Sequence, residues 1–264
     1  MTAIALTIAG SDSGGGAGIQ ADLKTFSALG VYGASVITAI TAQNTRGVTA
    51  VEDVSPQVVA AQIDAVFSDL EVGAVKIGMV SRRETISVIA EGLRRFGKRA
   101  VVDPVMVATS GDRLLRPDAV AALMDELLPL SVIATPNLAE AALMTGRAVA
   151  EDEREMARQA EAIMKSGAQA VLVKGGHLEN GDATDLFLDG DRLLSFPAPR
   201  INTVNDHGTG CTLSAAIAAG LALGKPLVDA VRDAKAYLHA AISAADDLTV
   251  GEGRGPVHHF HRWW

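Results

Sequence analysis

The sequence predicts a three-layer α/β protein, in which helices cover both faces of a mostly parallel central sheet. Short apolar runs alternate with longer helical patterns along the 264 residues, as is typical of parallel strands joined by crossover helices. Polar residues follow the ends of several apolar runs, as in sheets that bind ligands at the carboxyl ends of their strands. No internal repeat, low-complexity segment or linker interrupts the pattern, so one domain over residues 1–264 is expected.

The first four apolar runs are each followed by a helical pattern. Pro56 and Pro117 mark the beginnings of two of these helices, because a proline in the first turn loses no helical hydrogen bond. The predicted pairs of strand and helix are Ile4–Ala9 with Ile19–Leu29, Ser35–Thr41 with Pro56–Phe67, Ala74–Ile77 with Arg83–Phe96, and Ala100–Val102 with Pro117–Leu127.

The second half of the chain continues the alternation and ends on two helices. Strands over Val132–Ala134 and Ala170–Val173 flank a helix over Glu153–Ser166. Asp189-Gly190 lies between two apolar runs and predicts a hairpin, because this dipeptide favours a two-residue turn. The two runs of the hairpin and the two final helices are Thr184–Leu188, Leu193–Phe196, Thr212–Leu223 and Leu227–Ala245.

Composition and charge exclude several classes of protein. The net charge is −8 and no long run of Lys or Arg occurs, so a basic face for nucleic acid is not expected. The single cysteine excludes an intramolecular disulfide and a multi-cysteine metal site. Met1–Ala9 lacks the basic region of a signal peptide, and no apolar run approaches the ~18 residues of a membrane span. The sequence therefore predicts a soluble, cytoplasmic protein with no nucleic-acid or membrane partner.

The segment Asn205–Thr212 places two glycines, Gly208 and Gly210, before an apolar run that predicts a buried helix. Such glycines let the unpaired N–H groups of the first turn approach a ligand, with the positive end of the helix dipole behind them. The turn is therefore suited to phosphate, although the same residues also serve simply to begin a core helix. Cys211, the only cysteine, lies in this turn.

A second glycine-rich segment, Gly10–Gly18, follows the first strand. Its spacing does not fit G-x-G-x-x-G, and no acidic residue closes the second strand, so a dinucleotide site is not favoured. Ser11, Asp12 and Gln20 are too polar for a buried turn without partners. A loop that covers a small polar substrate is the preferred interpretation.

Two further strand ends suit a small aromatic ligand. The Gln43 side chain carries both a donor and an acceptor, and it can pair with a ring nitrogen beside an amino group, as in an aminopyrimidine. Gly78 permits close approach, and Met79 offers an adaptable apolar wall. A plain strand-end turn and a core methionine remain open as alternatives.

Asp103, Asn137 and Lys174 each follow an apolar strand, and together they predict a ligand site at one edge of the sheet. Glu140 stands three residues after Asn137, so the pair forms either a capping box or part of the oxygen shell of a hydrated Mg²⁺. Lys174 is either a surface lysine or a point charge that reaches a transferring phosphate.

The chain ends with three histidines in close succession, at His258, His259 and His261. No cysteine or carboxylate stands at a ligand spacing from them, so a packed or frayed tail is preferred over a metal site.

In this order, the motifs closely resemble the hydroxymethylpyrimidine/phosphomethylpyrimidine kinases of thiamin biosynthesis, a family of the ribokinase-like superfamily. The most restrictive motifs are Ala42–Thr45 and His207–Thr212. The matching segments span nearly the whole chain and are Ala9–Asp22, Thr38–Gly47, Lys76–Met79, Val101–Met106, Thr135–Glu140, Val171–His177 and His207–Ala216.

The resemblance implies a ribokinase-like fold and ATP-dependent phosphorylation of 4-amino-5-hydroxymethyl-2-methylpyrimidine, first on its hydroxymethyl group and then on the resulting monophosphate. It implies that Gln43 bonds the amino edge of the pyrimidine, while the glycine loop from Gly10 and Met79 enclose the ring. Asp22 is implied as a polar contact from the side of the loop. A homodimer is also implied, and dependence on K⁺ stays open.

On the phosphate side, the resemblance implies that Asn137 and Glu140 organise Mg²⁺ and its waters around ATP, with Glu140 acting through water. Lys174 is implied to contact the terminal phosphate. The implied anion hole consists of the amides of Gly208, Thr209, Gly210 and Cys211.

Three positions set this chain apart within that resemblance. Most ribokinase-like enzymes carry an aspartate base at position 211. This chain has Cys211 there, and the pyrimidine kinases also have a cysteine. A thiol at a helix N-terminus can have a lowered pKa, so Cys211 either accepts the proton of the substrate hydroxyl or positions that hydroxyl. Asp206 and Arg254 replace the Thr and His that are common in the family, and neither change removes a residue with a main role.

The nearest alternative function is a pyridoxal or pyridoxine kinase of the same fold. Gln43 favours an aminopyrimidine, because pyridoxal lacks the adjacent ring nitrogen and amino group. A non-catalytic nucleotide- or vitamin-binding protein is a separate class, against which the presence of Lys174 and Cys211 beside Asn137 and Glu140 argues. A nicotinamide oxidoreductase is a weaker option.

Overall fold

The computed structural model describes residues 1–106, 117–176 and 182–264. His177, which closes one of the matching segments, lies outside the described residues. The strands are β1 (Ile4–Asp12), β2 (Tyr32–Asn44), β3 (Gly47–Asp53), β4 (Ala74–Ile77), β5 (Ala100–Val102), β6 (Ser131–Ala134), β7 (Ala170–Val173), β8 (Asp185–Asp189) and β9 (Arg192–Phe196).

Eight α-helices accompany these strands in the described parts of the chain. The helices are α1 (Gly18–Ala28), α2 (Pro56–Phe67), α3 (Arg83–Arg95), α4 (Pro117–Ala122), α5 (Leu138–Thr145), α6 (Glu153–Lys165), α7 (Thr209–Ala222) and α8 (Leu227–Ser243).

The strands form one sheet in the order β3-β2-β1-β4-β5-β6-β7-β8-β9. The six strands from β2 through β7 in this order pair in parallel, whereas β3 at one edge and β8 and β9 at the other are antiparallel. The predicted β8–β9 hairpin is present, but Asp189 pairs with Arg192 and the two turn residues are Gly190 and Asp191. Gly190 has φ +57°, which favours glycine. The mostly parallel sheet predicted from the β-α alternation is therefore confirmed.

Each face of the sheet carries its own core. On one face Leu6 and Ile8 of β1 pack with side chains of α2, α3 and α6, including Ile63 and Ile89. On the other face Ala5 packs with α1, α7 and α8, which contribute Phe26, Ile217 and Val231 among others. Because alternate residues of a strand point to opposite faces, the apolar runs serve both cores, and the result is the predicted three layers.

Several boundaries differ from the predicted ones. β1 and β2 run beyond their predicted ends to Asp12 and Asn44, and β3 is a strand that the sequence analysis missed. Every residue of β3 is exposed or half-buried, so no alternation of apolar and polar residues marks it. The predicted helix Pro117–Leu127 is α-helical only to Ala122 and continues as a π-helical turn.

The C-terminal tail packs against α8, as predicted. The His258 amide donates to the Ala241 carbonyl (3.0 Å), and the Tyr237 hydroxyl donates to the His259 carbonyl (2.6 Å). Among the described residues no cluster of His, Cys, Asp or Glu has the arrangement of a metal site. In the same parts of the chain, every helix is too short or too polar to cross a bilayer.

Candidate active site

The amino end of α7 lies against the glycine loop that follows β1. Gly208 caps the helix with φ +83°, a conformation that favours glycine. A Cβ atom on Gly208 would stand 1.9 Å from the Gly16 carbonyl oxygen, so only glycine fits. This contact joins two segments that are almost two hundred residues apart and brings both glycine motifs to one place.

The first turn of α7 faces a buried ion pair. A Cβ atom on Gly210 would lie 3.2 Å from Lys174 Nζ and 3.6 Å from Asp103 Oδ2. The ammonium group of Lys174 therefore lies directly beside the N–H groups of a helix N-terminus, where an anion is favoured. Both positive groups point to the same binding place for phosphate.

Lys174 is held by the strand ends around it. Its ammonium donates to Asp103 Oδ1 (2.8 Å), and its backbone N–H donates to the Pro136 carbonyl (2.8 Å). Asp103 is buried and also accepts hydrogen bonds from Thr135 Oγ1 (3.0 Å) and Ser214 Oγ (3.2 Å). Burial alone would raise the pKa of Asp103. The neighbouring groups, with Lys174 the strongest among them, outweigh burial and lower that pKa. The pair is therefore ionised at neutral pH.

Asn137 and Glu140 form a capping box at the start of α5. Asn137 Oδ1 accepts from the backbone N–H of Glu140 (2.9 Å), and Glu140 Oε2 accepts from the backbone N–H of Asn137 (2.7 Å). Glu140 Oε2 also lies 3.9 Å from Lys174 Nζ. Burial is the main cause that raises the pKa of Glu140 to about 7, since Lys174 only partly offsets it and Asp103 adds to it. The capping interpretation is correct, and it leaves a carboxylate beside the phosphate-binding place.

Cys211 lies between the amino ends of α7 and α1. The Gly18 N–H at the start of α1 bonds to the thiol, yet burial dominates and raises the pKa of Cys211 to about 11. The lowering that a helix N-terminus can produce in a thiol pKa is outweighed here, because desolvation exceeds the effect of the dipole. The thiol is protonated at neutral pH.

Asp12 organises the glycine loop. Its Oδ1 accepts from the Gly14 amide (2.8 Å), and its Oδ2 accepts from the amides of Gly16 (3.0 Å) and Ala17 (2.8 Å). His207 Nε2 lies 3.0 Å from the same Oδ2 atom. The loop is therefore held in one conformation by a buried carboxylate and tied to the residue that precedes Gly208.

The predicted substrate contacts lie at the neighbouring strand ends. The Gln43 side chain reaches His207, with 3.2 Å between the two Nε2 atoms. Met79 is buried, and its Cε would stand 2.6 Å from a Cβ atom on Gly10. Gly10, Met79 and Gln43 thus lie around the base of the glycine loop, at the same edge of the sheet as Lys174.

Asp22 does not lie at the side of the glycine loop, where a polar contact with the substrate was predicted. Asp22 is fully buried and accepts two hydrogen bonds from Lys76 Nζ (2.8 and 3.0 Å) and one from Thr7 Oγ1 (2.6 Å). Burial would lower the pKa of Lys76, but the attraction of Asp22 outweighs it and raises that pKa. Asp22 is therefore the partner of a buried ammonium and not a surface of the loop.

The two positions that depart from the family pattern contact each other. Arg254 Nε donates to Asp206 Oδ1 (2.9 Å), and Arg254 Nη2 bonds Asp206 Oδ2. A guanidinium binds a carboxylate through two parallel hydrogen bonds in this way. The extra carboxylate before His207 is therefore neutralised by the extra arginine, and it does not stand free beside the phosphate-binding place.

Sequence reasoning assigned no role to Lys76 or His207, and it gave Asp12 no partner. The signal for Asp12 was its position in a loop otherwise built of glycine, serine and one alanine. Lys76 is a charged residue inside a short apolar strand, a pattern that indicates a buried ion pair. His207 gave no signal of its own, because its two side-chain contacts come from residues 195 and 164 positions away.

The family and its relatives agree with this geometry. The sequence model of the phosphomethylpyrimidine kinase family matches residues 12–258. A hydroxymethylpyrimidine/phosphomethylpyrimidine kinase of Rhizobium meliloti is 83% identical over 264 residues, which cover 100% of this chain and 99% of the relative.

Solved structures show the same fold. A phosphomethylpyrimidine kinase from Clostridium difficile 630 has 49% identity and a TM-score of 0.80, over 90% of this chain and 99% of that one. A pyridoxal kinase from Staphylococcus aureus, in complex with AMP-PCP and pyridoxal, has 34% identity and a TM-score of 0.90, over 99% of this chain and 94% of that one. The chain has the ribokinase-like fold, is a phosphotransferase, and belongs to the phosphomethylpyrimidine kinase family.

Proposed function

We propose that this protein transfers the γ-phosphoryl group of ATP to 4-amino-5-hydroxymethyl-2-methylpyrimidine and then to its monophosphate. The observation that carries the proposal is the meeting of Lys174, the first turn of α7 and the glycine loop at one sheet edge, with 3.2 Å between a Gly210 Cβ position and Lys174 Nζ. A phosphate-binding place and a pocket for a small ring therefore share one wall.

On the substrate side, Gln43 supplies the polar recognition and Met79 the apolar wall. A carboxamide offers a donor beside an acceptor, which complements a ring nitrogen beside an amino group. Gly10 lets Met79 pack directly against the strand, because a Cβ atom there would stand 2.6 Å from Met79 Cε. The pyrimidine lies here with its hydroxymethyl group toward Cys211.

On the phosphate side, the protein contributes charge and position. The substrate oxygen bonds to the γ-phosphorus as the bond from that phosphorus to the bridging oxygen of ADP breaks, and the electron pair of the broken bond leaves with ADP. The proton of the substrate hydroxyl passes to an oxygen of the transferred phosphoryl group. Negative charge on the transferring oxygens is stabilised by the amides from Gly208 to Cys211, including those of Thr209 and Gly210, and by Lys174. Phosphoryl transfer needs little covalent participation by the protein, so these electrostatic groups account for most of the acceleration.

Asn137 and Glu140 suit the implied Mg²⁺ in the chemistry of their oxygen donors. Mg²⁺ keeps several waters and is bound by one or two carboxylates together with phosphates. Glu140 is buried and its pKa is raised to about 7, as expected of a carboxylate that the surrounding protein neutralises incompletely. When bound, the cation would neutralise charge on the ATP phosphates, and Glu140 would hold it through water.

We assign Cys211 the positioning role rather than that of a base. Its thiol pKa of about 11 keeps it protonated at neutral pH, so it orients the substrate hydroxyl through a hydrogen bond. Cys211→Ser retains such a group and should keep kcat within about tenfold, whereas loss of a true base costs about 10²–10⁴. A loss in Cys211→Ser as large as that in Cys211→Ala would contradict this assignment.

The decisive assay presents ATP and Mg²⁺ with the aminopyrimidine, its monophosphate and pyridoxal in parallel, with products resolved by mass spectrometry. We expect the pyrimidine monophosphate and then the diphosphate. A larger kcat/KM for pyridoxal would overturn the substrate assignment and leave the phosphate machinery in place. Omitting K⁺ in one arm tests the dependence on a monovalent cation.

We also propose a homodimer, formed through the β2–β3 edge of the sheet. Ile40 is 55% exposed there, and Ala42 pairs with Ala50 on the same strands, both exposed. An exposed apolar edge is commonly covered by another chain. Light scattering should give twice the chain mass of 27.3 kDa, and Ile40→Asp should give the single mass; a monomeric wild type would contradict the proposal.

A further inference from the structure

His207 lies at the centre of a polar chain that ends on the substrate-binding amide. It is 8% exposed, and a Cβ atom on Gly16 would stand 2.4 Å from its Cδ2 atom, so the ring is packed against the glycine loop. Its Nε2 atom lies 3.0 Å from Asp12 Oδ2 and 3.2 Å from Gln43 Nε2. One ring nitrogen therefore meets both a carboxylate and a carboxamide.

The Asp12 contact decides which atom carries the hydrogen. Although burial opposes it, the hydrogen bonds from His207 and the loop amides lower the pKa of Asp12, so the carboxylate is ionised. An ionised carboxylate only accepts hydrogen bonds. His207 Nε2 must therefore carry a hydrogen atom directed at Asp12, and this holds for a neutral or a protonated ring.

This hydrogen atom fixes the orientation of the Gln43 amide. A protonated ring nitrogen has no lone pair, so an amide N–H directed at it would set one donor against another. The two orientations of a carboxamide have the same shape and are distinguished by their partners. Turned by half a rotation, the Gln43 oxygen becomes the second acceptor of a bifurcated hydrogen bond from His207 Nε2, which Asp12 Oδ2 shares at the shorter distance. The Gln43 nitrogen then takes the place beside Thr41 Oγ1.

Thr41 requires the same orientation independently. Its Oγ1 lies 3.2 Å from the other end of the Gln43 amide, and its hydroxyl donates to the Ser11 carbonyl (2.9 Å). A hydroxyl has one hydrogen atom to give, so toward Gln43 it acts as acceptor and requires an N–H there. Two neighbours on opposite sides thus agree.

We propose that His207, held by Asp12, is a positioning residue that sets Gln43 for an aminopyrimidine. In this orientation one N–H and one lone pair of the Gln43 amide remain for the ligand, and they complement a ring nitrogen and its adjacent amino group. The inference rests on the proposed function, because it concerns the same pocket. It adds that substrate selectivity depends on a residue beside the phosphate-binding turn that does not contact the pyrimidine.

Two substitutions of similar size separate this role from packing. His207→Leu removes the donor and keeps the bulk, whereas His207→Gln can place an N–H where Nε2 stood. Calorimetry measures the binding of the aminopyrimidine and of 5-hydroxymethyl-2-methylpyrimidine, which lacks the amino group. We expect the wild type to prefer the amino compound by about tenfold or more, His207→Leu to lose that preference, and His207→Gln to keep most of it.

Steady-state kinetics give a second readout. In His207→Leu, KM for the aminopyrimidine should rise by about tenfold with kcat changed less than threefold, and the affinity for AMP-PCP should stay unchanged. Retained preference in His207→Leu would overturn the inference, and so would an equal loss of AMP-PCP binding, which would show general damage to the loop. Failure of the proposed function looks different, since the wild type itself would then show no preference.

Gln43→Glu and a spectrum cover the case in which His207→Leu does not fold. Gln43→Glu keeps an oxygen toward His207 and a lone pair for the amino group but removes the N–H for the ring nitrogen, so it should weaken the binding of both compounds by about tenfold and keep the preference for the amino compound. Loss of that preference in Gln43→Glu would contradict the assigned orientation. A long-range ¹H–¹⁵N spectrum of the labelled wild type, assigned with His207→Gln, should show Nε2 of His207 protonated. An unprotonated Nε2 would overturn the inference whatever the variants do.

Discussion

Replacing Glu140 by Gln should stabilise the protein relative to wild type, and this gain in the free energy of unfolding should be larger at alkaline pH than at acidic pH. The folded protein raises the pKa of Glu140 from 4.5 to about 7, so the folded state binds this proton more tightly than the unfolded state. The associated stability is complete below pH 4.5 and is lost as the pH rises to about 7. A glutamine does not ionise and loses nothing over that range.

The size of the effect follows from the shift. A change of one pKa unit corresponds to about 1.4 kcal/mol, so the full shift is worth on the order of 3 kcal/mol. In Glu140→Gln the side-chain oxygen of the new amide would still accept from the Asn137 amide, so the capping box survives the change. The free energy of unfolding of Glu140→Gln minus that of wild type should therefore increase by this amount between pH 5 and pH 8.

Urea unfolding monitored by circular dichroism at both pH values measures this difference. Glu155 is a matched control, because it is the third residue of α6 as Glu140 is of α5. Its backbone N–H donates to the side chain of the N-cap residue Asp152 (2.8 Å), but its own side chain is 25% exposed. Glu155→Gln should show no gain of that size at pH 8. Parallel pH profiles for Glu140→Gln and wild type would refute the reasoning.

Three further predictions concern the groups around the phosphate-binding turn. Alkylation of Cys211 by iodoacetamide should accelerate about tenfold per pH unit from pH 7 to pH 10, because its thiol pKa is about 11; a rate that levels off below pH 9 would contradict this. Lys174→Gln removes the charge that pairs with the buried Asp103 but keeps a donor, so kcat should fall by about 10²–10³ while the loss of stability stays below the about 3–5 kcal/mol of a fully broken buried pair. A loss of that full size with little change in kcat would make Lys174 structural. Gly210→Ala should displace the Lys174 ammonium and lower kcat by about tenfold. Its Tm should be unchanged or higher, since alanine favours a helix over glycine by about 1 kcal/mol. Unchanged turnover would show that the ammonium position is not critical.

The edge of the sheet that forms the site is predictable from the sequence because it depends on strand order alone. Asp103, Asn137 and Lys174 each follow a buried parallel strand, and parallel strands end at the same edge. The structure brings Lys174 Nζ to 2.8 Å from Asp103 Oδ1 and 3.9 Å from Glu140 Oε2. The capping box is equally local, since it needs residues only three positions apart.

The sequence could not predict properties that depend on two opposing effects from residues distant in the chain, such as the pKa of Cys211. The thiol of Cys211 lies at a helix N-terminus, which lowers a pKa, and it is desolvated by the protein around it, which raises the pKa. The second effect depends on how closely α1 packs on α7, and no local pattern encodes that distance. The edge strand β3 escaped for a related reason, since a strand without a buried face has no periodic signal.

The burial of Asp22 against Lys76 leads to a prediction that separates a structural from a substrate-binding role. Breaking a buried ion pair from one side leaves an uncompensated charge and costs about 3–5 kcal/mol. Lys76→Met should therefore destabilise the protein by about that amount, and Lys76→Met combined with Asp22→Asn should recover part of it, because the remaining amide still accepts from Thr7. Urea unfolding of both single variants and the double variant measures the coupling. If Asp22 contacts the substrate instead, Asp22→Asn will raise KM without a loss of stability, and the double variant will be no more stable than Lys76→Met.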